Sequence, residues 1–234
     1  MAKVNKETLD RWFDYNVDVE SRTIYMGSEE GVDALMAEYM VKGMHILESK
    51  SVDAITIIMN NPGGDFFHGL AIYDVIKTSK CYCTIKVYGH AMSMGSLILQ
   101  AADKRIMSPN SRFMIHFGYD SHSGHAKMVE KWIDESKRLA HLMENIYLDV
   151  MLEKEEKMGD GHLAQTLGTV MTQQRSFEHP PLTTPIIYSF SKKVEVKREQ
   201  VRVVLKEMLN FDTILTAEET VALGFADEIY KRIN

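Results

Sequence analysis

One serine of this sequence stands in a setting that favours nucleophilic chemistry. Ser93 lies in the segment GHAMSMGS (89–96), between a predicted strand and a predicted helix. In a nucleophile elbow, a sharp strand-to-helix turn exposes the serine Oγ, and the backbone N–H that follows can support an oxyanion. The pattern here is Ala-x-Ser-x-Gly, and a serine at a helix start also acts as a simple cap. Taken alone, the segment leaves Ser93 with either a catalytic or a capping role.

A serine hydroxyl needs a neighbouring base to become a useful nucleophile. His116 ends a predicted apolar strand, RFMIH (112–116), and a neutral imidazole is suited to accept a proton near pH 7. The chain holds nine histidines, so finding one near a serine is not unusual. A structural role for His116 therefore stays open beside the role of general base.

Two adjacent glycines follow another predicted strand, in the segment NPGG (61–64). Glycine accepts positive φ and lets a backbone approach another group closely. The N–H groups of Gly63 and Gly64 can then face an anion or a developing oxyanion. A tight strand-to-helix turn explains the same residues equally well.

The elements that carry these residues alternate between strands and helices, which predicts an α/β fold with parallel strand pairings. In such sheets, ligands gather beyond the carboxyl ends of the strands, where the three candidate segments lie. The strand 54–59 is apolar throughout, so we expect burial on both of its faces. The predicted helices cover 32–48, 70–76, 94–102, 128–150 and 194–209, and the predicted strands cover 23–26, 54–59, 84–88 and 112–116.

Residues 153–192 interrupt this regular pattern. They show no clear hydrophobic period, and they contain Gly159-Asp160-Gly161 and Pro180-Pro181, which are typical of turns. The segment is too long for an ordinary loop of a compact domain. We therefore expect one domain over residues 1–234, with an insertion at about 153–192 that has some structure of its own.

Composition excludes several classes of function. The net charge of −6 disfavours general binding to nucleic acid, and no apolar run reaches the roughly 18 residues of a membrane span. The polar N-terminus lacks a signal-peptide pattern, and the only cysteines, Cys81 and Cys83, are too close in sequence to staple a fold. A reducing cytoplasm is therefore expected. His122 and His125 are a weak metal signal, so no metal and no organic cofactor is predicted.

Residues 55–116 resemble the proteolytic subunit of Clp proteases over nearly their whole length. The segments that carry the resemblance are NPGG (61–64), GLAIYD (69–74), GHAMSMG (89–95) and PNSRFMIH (109–116). Several ordered motifs with family-like spacing are far more specific than any one of them. The resemblance implies a ClpP/crotonase-like α/β fold of repeated ββα units, from which the 128–150 helix projects as a handle.

The resemblance also implies a role for each candidate residue. Ser93 would be the nucleophile of a serine peptidase, His116 its general base, and the N–H groups of Gly64 and Met94 its oxyanion hole. Asp212 would complete the triad as a buried carboxylate that orients His116, because it precedes LTAEE (215–219) and GFAD (224–227) as in the family. Asp160, within the insertion, is the rival candidate for the acid.

The implied activity is endopeptidase cleavage of unfolded polypeptides or short peptides inside an oligomeric ring chamber. The expected partners are other copies of the chain in heptameric rings, two of which could stack as a tetradecamer, and an AAA+ unfoldase. Asn210-Phe211 replaces the acidic and basic pair that usually helps to join subunits, which weakens the expectation of stacking. Three alternatives stay open: a crotonase-type acyl-CoA enzyme, a non-catalytic ring subunit, and a viral capsid-maturation protease of the same fold.

Overall fold

A computed structural model of the protein describes residues 16–27, 29–159, 161–175 and 194–231. Its residues group into two compact units. The first extends to Met114 and also contains Leu215–Val221 and the chain from Ala226, and the second contains Ile115–Ile214 and Ala222–Phe225. The single domain over 1–234 stays a prediction. Pro180-Pro181 and the rest of 176–193, about half of the expected insertion, lie outside the described residues.

A parallel sheet with helices forms the first unit. Its strands follow the order β1-β2-β3-β4-β5-β8, and β6 pairs with the end of β4; within this path only β1 and β2 are antiparallel. The strands are β1 (Val17–Asp18), β2 (Thr23–Gly27), β3 (Ile55–Asn61), β4 (Cys83–Met92), β5 (Lys104–Met107), β6 (Arg112–Ile115), β7 (Thr213–Thr216) and β8 (Glu228–Ile229). The helices of this unit are α1 (Ala34–Lys50), α2 (Phe66–Lys77) and α3 (Met94–Leu99), and α7 (Ala217–Ala222) falls almost entirely within it.

Aspartates start the first two helices. The Oδ1 of Asp33 accepts the N–H of Met36 at 2.7 Å, and the Oδ1 of Asp65 accepts the N–H of His68 at 2.9 Å. Each carboxylate satisfies a backbone donor that the first helical turn leaves without an intrahelical partner. The second of these caps ends the NPGG segment and thereby fixes where its chain turns into α2.

The expectation that β3 is buried on both faces is wrong. Ile55, Ile57 and Met59 are fully buried, whereas the side chains that alternate with them are only partly covered. The strand β3 therefore has an apolar residue on its partly exposed face as well, where a strand with one buried face usually has polar residues. Core residues from the helices complete the apolar interior of this unit: Met36, Met40, Met44, Leu47, Ile72, Ile76, Leu97 and Ile98.

The second unit is built around one long helix. It contains α4 (Ala126–Met158), α5 (His162–Arg175) and α6 (Val194–Asn210). Helix α4 has 33 residues and extends beyond the predicted 128–150 at both ends. Its second half is buried through Tyr147 and Met151, and the Tyr147 ring meets Phe225 edge to face at 5.6 Å. None of the helices in the described ranges is long and apolar enough to cross a membrane.

The first part of the expected insertion is helical. Residues 153–158 continue α4, and α5 buries Leu163, Leu167 and Val170 at a spacing of three and four residues. Between the two helices, the buried Glu155 accepts the N–H of Gly161 at 2.7 Å and that of Leu163 at 2.6 Å. A carboxylate from one helix therefore caps the start of the next.

Candidate active site

Ser93 lies at the junction between β4 and α3, in a backbone conformation that side chains seldom adopt. Its φ is 51° and its ψ is −124°. A non-glycine residue with positive φ costs free energy and persists only where neighbouring contacts hold it. Here the Ser93 N–H donates to the Met114 carbonyl at 2.9 Å, and the Ser93 carbonyl accepts the N–H groups of Ser96 and Leu97 at 3.0 and 3.3 Å. The turn has the shape of a nucleophile elbow.

The glycine pair lies directly against this turn. A Cβ built on Gly63 would stand 2.4 Å from the Cβ of Ser93 and 3.0 Å from the backbone nitrogen of Met94. Any larger residue at position 63 would therefore displace the serine. Gly63 and Gly64 also have φ values of 105° and 140°, which favour glycine.

Two flanking contacts hold the glycine pair in place. The buried Asn61 accepts the Gly63 N–H through its Oδ1 at 2.9 Å. On the other side, the Val32 N–H donates to the Gly63 carbonyl at 2.6 Å, and the Asp65 N–H donates to the Val32 carbonyl at 2.8 Å. The position of the Gly63–Gly64 peptide is thus set by both a side chain and a backbone bridge.

The backbone N–H groups of Gly64 and Met94 were predicted to form an oxyanion hole. Within the part of the chain that the structure describes, neither N–H donates a hydrogen bond. Such donors are available to a ligand, and the contact of Gly63 with Ser93 brings their two segments together.

His116 and Asp212 are in direct contact within the second unit. The His116 Nδ1 lies 2.8 Å from the Asp212 Oδ1. Asp212 has a φ of 46°, a left-handed conformation that aspartate tolerates better than most residues. The loop after His116 is fixed by the N–H of Phe117, which donates to the Leu209 carbonyl at 2.8 Å.

The expected burial of Asp212 is wrong for this chain. The Asp212 side chain is 56% exposed, whereas that of His116 is 14% exposed. The reason is that Asp212 stands in the tight turn between α6 and β7, next to the exposed Phe211. Water therefore competes for the carboxylate and weakens its charge interaction with the imidazole.

Ser93 belongs to the first unit, and His116 and Asp212 belong to the second. The Ser93 N–H is bonded to the Met114 carbonyl, and His116 is two residues further along the chain.

The rival candidate for the triad acid, Asp160, lies outside the described residues. The weak metal signal came from His122 and His125. His122 is engaged by the loop and the helix that flank it: its Nε2 lies 2.8 Å from the Asp120 Oδ2 and 3.0 Å from the Ser136 Oγ. The Ser136 hydroxyl, and to a lesser extent His122, hold the pKa of Asp120 below its ordinary value. Across the described ranges, no three His, Cys, Asp or Glu side chains are grouped as metal ligands.

Two polar residues beside the serine turn were not predicted to have a role of their own at the site. Asn61 was seen only as part of its motif, and Ser96 only as a flanking residue, yet both are fully buried. Ser96 donates its Oγ–H to the Ser93 carbonyl at 2.6 Å. A serine three residues after the candidate nucleophile is a sequence signal for this kind of bond.

Comparison with known proteins agrees with the sequence resemblance and the fold. The profile of the Clp protease family matches residues 6–166, which contain Ser93 and His116 but not Asp212. The ATP-dependent Clp protease proteolytic subunit of Deinococcus radiodurans is 35% identical over 136 residues, 57% of this chain and 66% of that protein. Proteolytic subunit 2 of the ATP-dependent Clp protease of Pseudomonas aeruginosa is 35% identical over 134 residues, 55% of this chain and 65% of that protein. The matched part thus spans just under two thirds of each relative.

The family match extends over more than half of the chain, and the sheet with flanking helices is the mixed α/β arrangement that the resemblance implied. The predicted family and the predicted fold class are therefore confirmed. This chain belongs to the Clp protease family.

Proposed function

We propose that this chain is a serine endopeptidase that hydrolyses peptide bonds in unfolded polypeptides or short peptides. The observation that carries the proposal is the left-handed backbone of Ser93 at the start of α3, packed against Gly63. A capping serine does not need a positive φ, because N-cap residues ordinarily adopt extended backbone conformations. Ser93 makes no side-chain cap bond, which further favours the catalytic interpretation over the capping one.

In the proposed reaction, Ser93 attacks the scissile carbonyl and transfers its Oγ proton to His116. When the His116 Nδ1–H donates to Asp212, the Nε2 carries a lone pair and can accept that proton. The tetrahedral intermediate collapses as the C–N bond breaks and His116 returns the proton to the leaving amine. Water, deprotonated by the same histidine, then hydrolyses the acyl-enzyme and regenerates Ser93.

The remaining groups transfer no proton and would instead stabilise the charges that develop during the reaction. The N–H groups of Gly64 and Met94 would stabilise the oxyanion of both tetrahedral intermediates. Asp212 would hold the imidazole in the productive tautomer and stabilise the imidazolium that forms. This chemistry requires neither a metal ion nor an organic cofactor.

The proposed setting is a cytoplasmic ring chamber supplied by an AAA+ unfoldase. Two observations support it. The relatives are named as proteolytic subunits of an ATP-dependent protease, which implies a separate ATPase for those proteins. In this chain, the first half of α4 exposes the apolar residues Met128, Trp132 and Ile133, which a second copy would cover.

The test is active-site labelling combined with substitution of the serine. A fluorophosphonate should label Ser93 in the wild-type protein, and Ser93→Ala should abolish labelling and lower kcat on a fluorogenic peptide by roughly 10⁴- to 10⁶-fold. The matched control is Ser49→Ala, because Ser49 is exposed on α1 and its hydroxyl donates to the Ile46 carbonyl of the same helix. Undiminished cleavage by Ser93→Ala would refute the proposal, and acyl-CoA turnover without labelling would favour the crotonase alternative.

A further inference from the structure

A chain of hydrogen bonds leads from a salt bridge to the serine turn, entirely within the first unit. Asp227 pairs with Arg105, and the two carboxylate oxygens lie 2.7 and 3.3 Å from the guanidinium nitrogens. The Arg105 Nη1 donates to the Gln100 Oε1 at 2.8 Å, and the Gln100 Nε2 donates to the Ser96 carbonyl at 3.0 Å. The Ser96 Oγ then donates to the Ser93 carbonyl at 2.6 Å.

These intermediate side chains are among the most deeply buried polar groups of the unit. Ser96 is 0% exposed, Gln100 3% and Arg105 9%. Burial of a polar group costs free energy unless its hydrogen bonds are satisfied, and apolar residues of similar volume would fill the same space without that cost. The place where this series of hydrogen bonds ends indicates its role, because it ends at the carbonyl of Ser93, a residue under backbone strain.

The strain at Ser93 requires contacts that hold it. A positive φ at a non-glycine residue costs on the order of 1–3 kcal/mol. The Ser96 hydroxyl gives the Ser93 carbonyl a third hydrogen bond, in addition to the two from backbone N–H groups. Gln100 in turn fixes the peptide of Ser96, so its amide acts on the same turn from one helical turn away.

We propose that Ser96 and Gln100 are positioning residues for the nucleophile, which hold the Ser93 turn in its strained conformation through the buried chain from Arg105 and Asp227. The inference rests on the proposed function. It predicts that removing one of these hydrogen bonds slows acylation of Ser93 while leaving the binding of peptide substrates largely intact. A purely structural role would instead lower stability without a selective effect on acylation.

Two substitutions interrupt the series of hydrogen bonds at different places. Ser96→Ala removes only the hydroxyl that reaches Ser93. Gln100→Glu keeps acceptor oxygens for Arg105 but removes the donor to the Ser96 carbonyl, so it interrupts the chain even if the first variant fails to fold. Thr220→Val is the matched control, because Thr220 is equally buried and its hydroxyl donates to the Thr216 carbonyl at the same 2.6 Å in another part of the unit.

The measurement is the second-order rate of fluorophosphonate labelling, together with kcat and KM for a fluorogenic peptide, well below the Tm of each variant. Both chain variants should label about 10- to 100-fold more slowly, with kcat reduced and KM near the wild-type value, because small misplacements of a reacting group have effects of this size. Thr220→Val should label at the wild-type rate.

Three results would contradict the inference. Wild-type labelling rates in both chain variants would show that the hydrogen bonds do not position Ser93. An equal loss of rate in Thr220→Val would show that any buried hydroxyl of this unit matters, and hence that the role is structural. Failure of the wild-type protein to label at Ser93 would overturn the proposed function and this inference with it, which distinguishes the two failures.

Discussion

The carboxylate of Asp212 interacts with His116 through a well-placed hydrogen bond, although its side chain is not buried. Asp212 bonds to the imidazole at 2.8 Å, yet more than half of its side chain is exposed. A charge in contact with water interacts weakly with its neighbours, but a hydrogen bond to Nδ1 still selects the tautomer. We therefore expect Asp212 to matter chiefly for the orientation of His116.

Replacement of Asp212 by asparagine tests this interpretation. Asparagine also tolerates left-handed φ, so Asp212→Asn should preserve the turn while removing the charge. The value of kcat should fall by about 10²- to 10⁴-fold, since the loss in serine proteases with a buried aspartate is about 10⁴ and exposure reduces the effect. Asp160→Asn, measured in parallel on the same fluorogenic peptide, should retain activity. A large loss for Asp160→Asn with none for Asp212→Asn would reverse the assignment.

The sequence alone predicts a site residue best where a motif coincides with the end of a strand. Ser93 was predicted at a strand-to-helix junction, and the structure has it there. The exposure of Asp212 was not predictable, because the sequence does not show how far the turn between α6 and β7 leaves its carboxylate open to water. The hydrogen bonds that Gln100 accepts from Arg105 and donates to Ser96 were equally unpredictable, since they depend on side-chain directions.

At the scale of elements, one buried carboxylate determines where α5 begins. Glu155 is near the end of α4 and accepts two N–H groups at the start of α5. Its negative charge also suits the positive end of a helix dipole. The pairing explains how α5 begins shortly after α4 although its start contains a glycine and shows little periodicity.

Glu155→Gln should therefore loosen α5 without affecting the chemistry at Ser93. We expect the free energy of unfolding to fall by about 1–3 kcal/mol, because a buried charge-assisted cap is lost. Urea unfolding followed by circular dichroism measures this change, and hydrolysis of a small ester should continue at the wild-type rate. Glu156→Gln is the matched control, since Glu156 is the exposed neighbour on the same helix. Equal stability of both variants would contradict the capping role.

Helices were easier to predict than their ends or the short strands. The periodic stripe at 128–150 located α4 but not its continuation to Met158, because the last turns are rich in charged residues. Helix α5 was missed although its buried residues are spaced as in a helix, since the flanking glycines and polar residues dominate the local composition. The four residues of β5 were too few to show a pattern.

For the molecule as a whole, the pair of Arg105 and Asp227 ties the last strand of the sheet to β5. Burial would raise the pKa of Asp227, but hydrogen bonds and charge from Arg105 outweigh it and hold the pKa below the ordinary value of 3.8. A carboxyl group with a lowered folded pKa stabilises the protein above its unfolded pKa. The stabilisation is lost as the pH falls through the lowered folded value.

Asp227→Asn should reduce the free energy of unfolding by about 2 kcal/mol at pH 7. The difference from wild type should stay constant down to about pH 4 and shrink only below it, because the wild-type carboxylate then becomes protonated. Urea titrations across this range measure the effect. Glu228→Gln, which breaks the exposed pair with Lys104, should change stability little at any pH. A difference that grows below pH 4 would contradict the assigned sign.

Assembly is the second property of the whole molecule. Ile133 is 43% exposed on the first half of α4, close to Met128 and Trp132 on the same helix. If this apolar surface lies between copies, Ile133→Glu should shift light scattering from rings to smaller species, because a charge would be buried without a partner. Lys131→Glu, on an exposed neighbour, should leave the assembly intact. A wild-type protein that is monomeric at micromolar concentration would refute the ring proposal.

The contact of Gly63 with Ser93 has a consequence for natural variation and for mutational scanning. Alanine is usually the mildest replacement for glycine, but here its methyl group would fall within 3 Å of Ser93 and Met92. A Cβ at Gly124 or Gly159 would meet no atom of the described residues within 4 Å, so replacements there meet the backbone cost of positive φ but no such clash with them. In a scan selected for activity, position 63 should therefore reject every amino-acid replacement as strictly as position 93, although its residue has no side chain to take part in any reaction.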